Sequence, residues 1–217
     1  MIKQKKGNYG PALNNCFLFK RMMKNLIFAT NNEHKVAEIR SSLENLFQVV
    51  SLKEAEINID IEEPFDTLED NAREKSGTIY RLTQQDCFSE DTGLFVDSLN
   101  GEPGVKSARY AGEPSGNKAN IEKLLLNLAS HSNRTARFKT IISLVMSEKE
   151  YLFEGICDGS ITLEPIGSSG FGYDAVFIPA GSSKTFGEMN MEEKNQYSHR
   201  KKAVAKLISF LREQGNI

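Results

Sequence analysis

The chain has 217 residues, 39% hydrophobic and 26% charged, with a formal net charge of −2, which suits one globular domain or one domain with two lobes. No apolar run reaches the roughly 18 residues of a membrane span, and the three cysteines form no C-x-x-C pair; a membrane protein, a disulfide framework and a zinc site are all disfavoured, and a reducing cytoplasm is expected. Residues 1–25 carry six Lys/Arg and no acid, which leaves 21 basic against 29 acidic residues, a net −8, in the remainder and gives no support to a nucleic-acid partner. In that leader the run Cys16-Phe-Leu-Phe19 is too short for a signal-peptide core. We expect 1–21 to be a disordered or misassigned extension and 22–217 to form a single domain.

In chain order, residues 25–29 (NLIFA) read as a strand, followed by the polar loop TNNEHK. A helix then carries Val36, Ile39 and Leu43 at helical spacing. A second helix is predicted from Leu68 to Leu82, with Asp66 or Thr67 as its cap. The segment SEDTG follows, with Glu90 and Asp91 placed before a strand LFVDSL and Thr92-Gly93 read as the turn that exposes them. NGEPG then marks a sharp reversal, since Asn-Gly and Pro-Gly supply the backbone angles of tight turns. Ile121, Leu124, Leu125 and Leu128 form a third helical stripe. ARFKTIISLVMS and EYLFEGICDGSI read as an antiparallel strand pair, and Val204, Leu207, Ile208 and Leu211 stripe the final helix. The expected class is α/β with a mixed sheet, since strict βαβ alternation fails in the middle.

Four polar clusters stand where apolar elements end. The loop TNNEHK opens a helix, where unpaired backbone N–H groups favour anions, although Asn31 or Asn32 can equally be a plain cap. Glu62 and Glu63 precede the second helix and have a plainer reading as a solvated acidic loop. With SEDTG they form two separated acidic loops, which suit a magnesium ion that takes one or two carboxylates and completes its shell with water and phosphate oxygens. GSSGFGYDAVF lets backbone and an aromatic face approach a flat ligand, or is a glycine-rich turn with Phe171 in the core. EEKNQYSHRKKA groups Lys194, His199 and Arg200 as phosphate and base ligands, or as a solvated basic face.

Together LIFATNNEHKVAEI, EDTGLFVDSLNGEPGVKSARYAG, GFGYDAVFIP and EEKNQYSHRKKA resemble the non-canonical purine NTP pyrophosphatase family, the inosine/xanthosine triphosphatases, in motif order from Asn25 to the last helix. The resemblance implies a Mg2+-dependent hydrolase that releases nucleoside monophosphate and pyrophosphate from ITP, dITP and XTP. It further implies an elongated mixed sheet flanked by helices, with two lobes around a central nucleotide cleft, and a homodimer. By motif position, Thr30, Asn31, Asn32, Glu33, His34 and Lys35 hold the phosphates, and Lys75 also reaches them. Asp91 is the catalytic carboxylate that activates water and touches metal, Thr92 contacts substrate, and Glu63 or its neighbour Glu62 is the other metal ligand. Phe171, Gly172, Tyr173 and Asp174 bind the nucleoside, with the Phe171 ring as stacking face, and Lys194, His199 and Arg200 complete the pocket. Three positions depart from the family pattern: Thr92 stands for serine, Ala175 for proline, and His34 for a frequent glycine.

Overall fold

The computed structural model describes residues 25–43, 47–113 and 116–215, so the expectation for residues 1–21 lies outside the described residues. One mixed sheet runs in the order β2-β1-β3-β5-β6-β7, with a short β4 paired to β3. Its strands are β1 (Asn25–Phe28), β2 (Gln48–Ser51), β3 (Cys87–Val96), β4 (Pro103–Gly104), β5 (Thr135–Met146), β6 (Lys149–Ile161) and β7 (Phe177–Pro179). β1 is parallel to both β2 and β3, while β3-β5-β6-β7 is antiparallel throughout. The helices are α1 (Glu33–Leu43), α2 (Leu68–Thr83), α3 (Asn117–Asn127), α4 (Met191–Asn195) and α5 (His199–Glu213).

The helical stripes go where their spacing sends them. Val36, Ile39 and Leu43 of α1 pack with Ala203, Val204, Leu207 and Leu211 of α5 on one sheet face. Leu68, Ala72 and Ile79 of α2 pack on the other. Leu124 and Leu128 join Phe138, Val176, Phe177 and Phe186 in a second core beyond the middle of the sheet, and the cleft opens between these two halves. Thr67 caps α2 by accepting from the Asp70 amide at 3.1 Å, which relieves one of the unpaired amides of its first turn. The β5-β6 hairpin turns through Ser147 and Glu148, both at positive φ, as the twist of a two-residue hairpin demands.

The structure corrects two sequence expectations in this region. The strand read over LFVDSL ends at Val96, and Asp97–Leu99 forms a 3-10 turn. Glu90 and Asp91 do not precede a strand, and Thr92-Gly93 is not a turn. All four lie inside β3, paired with β5 from Cys87↔Val145 to Val96↔Ala136. A polar stretch survives mid-strand because helices on both faces bring it opposite charges, which local sequence cannot display. Gly93 is required for another reason: a β-carbon there would stand 2.6 Å from the carbonyl oxygen of Gly104, where β4 folds back onto β3. Short elements with too few residues to show a period (β2, β7 and α4) were not foreseen.

Gly155 on β6 sets how closely α5 approaches the sheet. A β-carbon there would fall on the His199 carbonyl oxygen and 2.6 Å from the Ala203 amide nitrogen, both backbone atoms of α5. Overpacking of this kind costs about 1–3 kcal/mol. Gly155→Ala is therefore expected to lower the urea midpoint by that order, and an unchanged midpoint would refute the close approach of α5 to β6.

Candidate active site

A cleft of about 810 Å³ is lined by residues from both halves of the molecule, a size ordinary for small-molecule sites. Its floor is the middle of β3. Side chains of a strand alternate between faces, so the adjacent carboxylates part company: Glu90 faces α5 and α1, and Asp91 faces α2. Thr92, on the Glu90 side, donates to Glu90 Oε1 at 3.0 Å and shares a 2.6 Å hydrogen bond with Thr140 of β5.

On the Glu90 side lies a buried ion-pair network. The Arg200 guanidinium, at the start of α5 and 2% exposed, donates to Glu90 through Nε (2.5 Å) and Nη2 (2.6 Å), and through Nη1 to Glu38 of α1. Lys194 of α4 donates to the other Glu38 oxygen at 2.7 Å and to Asp174 at 2.6 Å. Lys35 Nζ stands 3.3 Å from Glu90. Burial alone pushes the Glu90 and Glu38 carboxyls up, but the neighbouring cations, Arg200 foremost, hold both below the usual carboxylate range. His199, beside Arg200, is driven well below the usual histidine value by burial and by Arg200 and Lys194, so its imidazole is neutral; its Nδ1 is buried without a partner.

The Asp91 side is sparser. Lys75 of α2 donates to Asp91 Oδ1 at 3.2 Å and, more tightly, to Glu63 Oε1. Arg109 donates to the Glu63 backbone carbonyl at 2.9 Å and pins the acidic loop over the cleft. Asp91 Oδ2 is buried and has no hydrogen-bond partner. Burial raises the Asp91 carboxyl above its usual value despite Lys75 and Lys35. Among the described residues no group of three or more His, Cys, Asp or Glu forms a ready metal cage. Hard oxygen donors at Asp91 and Glu63, one of them unsatisfied, do fit a magnesium ion that takes few protein ligands.

The third wall is the glycine-rich loop before β7. Phe171 donates its amide to Asp174 Oδ2 at 2.9 Å, and its half-buried ring lies 5.4 Å from Lys194 Nζ and 5.7 Å from Arg200 Cζ. Tyr173 is buried and donates to the Ser107 carbonyl at 2.8 Å. Phe171 is thus on the cleft wall and not in the core. Asn32 caps α1, its Oδ1 accepting from the His34 and Lys35 amides at 3.0 and 3.2 Å.

The cleft brings together Thr30, Asn31, Asn32, Lys35, Glu62, Glu63, Lys75, Asp91, Thr92, Phe171, Gly172, Tyr173, Asp174, Lys194, His199 and Arg200. Glu33 and His34 do not line it: Glu33 is exposed, and His34 stacks instead on Phe171. Glu38 and Arg109 are the residues that sequence reasoning missed as site-builders. Glu38 sits one helical turn after Lys35 on α1, and Arg109 lies in the quoted KSARYAG segment; both reveal themselves only by their partners.

Fold and cleft together define a mixed α/β protein with a charged cleft walled on one side by an aromatic ring. The Ham1 family model matches residues 26–210. A dITP/XTP pyrophosphatase of Flavobacterium johnsoniae is 47% identical over 186 residues, 86% of this chain and 97% of its own. One of Porphyromonas gingivalis is 49% identical over 190 residues, 87% and 98% of the two chains. The solved structure of the Staphylococcus aureus Ham1 protein matches with a TM-score of 0.80 at 36% identity, covering 88% of this chain and all of the other (100%). The chain belongs to the Ham1 family.

Glu38 and Glu90 have folded pKa values below the ordinary 4.5, so their pairing stabilises the fold fully above that pH and is lost as pH falls through the depressed values. Arg200→Met removes the main partner of both carboxylates, leaving Glu38 to Lys194 and Glu90 to Lys35 and Thr92, and is expected to cost about 3–5 kcal/mol at pH 7. The cost should shrink near pH 4, where these carboxylates take up protons. Urea titrations of both proteins at the two pH values check this, and a pH-independent difference would contradict the network.

Proposed function

We propose that the chain is a Mg2+-dependent nucleoside triphosphate pyrophosphohydrolase that hydrolyses ITP, dITP and XTP to the nucleoside monophosphate and pyrophosphate, clearing non-canonical purines from the nucleotide pool. The names of its relatives support the substrate class. The observation that carries the reading is Asp91: a buried carboxylate with one unpartnered oxygen, set beside Lys75, in a cleft whose far wall offers an aromatic ring.

Water attacks the α-phosphorus and the α–β phosphoanhydride oxygen leaves with pyrophosphate, a reaction governed by positioning and charge neutralisation. Asp91 takes the proton of that water. Its unpartnered Oδ2 is the acceptor available for it. Lys35 and Lys75, with the polar loop residues Thr30, Asn31 and Asn32, receive the phosphates. Glu63, tied to Lys75, joins Asp91 as metal ligand, while exposed Glu62 lines the same wall. Bound Mg2+ would supply charge neutralisation at the phosphate oxygens. The base stacks on Phe171, and Lys194, His199 and Arg200 close its pocket. A site that donates to a 6-oxo group rejects adenine by leaving a donor unpaired, a discrimination of roughly 10⁴ or more.

A homodimer in the cytoplasm belongs to the same proposal, supported by the family resemblance; among the described residues no helix is long and apolar enough to cross a membrane. The test is pyrophosphate release from ITP, XTP, GTP and ATP, with Mg2+ and with chelator. Metal-dependent release from ITP and XTP in preference to ATP is expected, together with a fall of at least about 10²-fold in turnover for Asp91→Asn, in line with loss of a general base, while IMP binding survives. Undiminished turnover in Asp91→Asn would remove Asp91 from its role.

A further inference from the structure

His34 belongs to the loop that opens α1, yet it contributes nothing to the cleft wall. Its exposed imidazole lies nearly parallel to the Phe171 ring, with centroids 5.1 Å apart and planes 16° apart. Phe171 does line the cleft, so the imidazole bears on that ring from outside. The Phe171 loop needs such a restraint. It contains Gly170 and Gly172, both at positive φ, and a β-carbon at Gly172 would meet nothing within 4 Å. Its polar anchor, the Asp174 carboxylate that accepts from the Phe171 amide and from Lys194, holds the backbone and leaves the ring to be oriented by its neighbours.

We propose that His34 is a positioning residue that clamps the base-stacking ring of Phe171 to the phosphate loop and acts on the base, with no share in holding the phosphates. The proposal rests on the reading of Phe171 as the base platform. An aromatic pair contributes on the order of a two- to tenfold factor in an equilibrium, and His34→Ala, a substitution at an exposed site, should express that factor in whatever binds through the base.

The experiment measures IMP affinity by calorimetry, inhibition by inorganic tripolyphosphate under excess Mg2+, and ITP kinetics, for the wild type, His34→Ala and His34→Phe. His34→Ala is expected to weaken IMP binding and raise the ITP KM by about three- to tenfold, with kcat and tripolyphosphate inhibition within twofold of the wild type. His34→Phe, which keeps a flat ring, restores IMP affinity. Equal weakening of IMP and tripolyphosphate would make His34 a phosphate ligand and overturn the proposal. So would unchanged IMP affinity in His34→Ala or failure of the phenylalanine to rescue. A wild type that binds IMP but releases no pyrophosphate would sink the hydrolase reading and leave the clamp to be judged on IMP affinity alone; a wild type that releases pyrophosphate but binds no IMP overturns the clamp.

Discussion

The interaction on which the architecture depends is the buried fork of Arg200 onto Glu90 and Glu38. Removing such ions from water costs several kcal/mol each, recovered only when every partner is in place. Arg200 opens α5, Glu90 lies in mid β3 and Glu38 lies on α1, so the three elements must take up one mutual arrangement or leave a charge stranded. Lys194 extends the constraint to α4, and through Asp174 to the loop before β7. The formal charges of Glu38, Glu90 and Asp174 are matched by those of Arg200, Lys194 and Lys35; the cations hold Glu38 and Glu90 below the usual carboxylate range, while burial raises Asp174.

Strand alternation then does the division of labour. Glu90 and Asp91 are adjacent in sequence yet face opposite sides of the sheet, so one carboxylate can be fully satisfied while its neighbour is left partly unmet. Glu90 accepts from Arg200 and Thr92 and lies near Lys35. Asp91 has one long hydrogen bond and one orphan oxygen. An unsatisfied buried oxygen is a cost to folding, and the ion-paired face behind it is what keeps that cost from being relieved by local rearrangement. The two pKa directions follow from the same contrast, depressed where cations outnumber the burial penalty and raised where they do not.

Periodicity and turn chemistry made much of this legible in the sequence. The helices over α1, α2, α3 and α5 followed from apolar spacing, the β5-β6 hairpin from two long β-rich runs, and the reversal after Leu99 from Asn-Gly. What was not legible depended on partners distant in sequence. The run Ser89 to Gly93 reads as a polar turn until Arg200 and Lys75 are brought to its two faces. Glu38, in the helical stretch VAEIR, reads as a solvated residue of an amphipathic helix, and only α5 and α4 bury it. Glu62 and Glu63 are indistinguishable by pattern; geometry separates them, since Glu63 meets Lys75 and Arg109 whereas Glu62 remains exposed. The two readings of the glycine-rich loop, ligand wall or core turn, were likewise separated by exposure: Phe171 half-buried on the cleft, Tyr173 buried beneath it.

One short helix ties these parts into a single measure of length. On α1, His34 touches the Phe171 ring, Lys35 reaches Glu90, and Glu38 holds Lys194 and Arg200. Residues 34, 35 and 38 fall on one side of a helix because four residues make about one turn. The start of α1 is therefore held at a set distance from Glu90, Lys194 and Arg200 by a hydrogen-bonded rod and by the buried ions packed along it. The glycine-rich and acidic loops around the cleft are thus hung on a frame whose spacing was set when α1 docked.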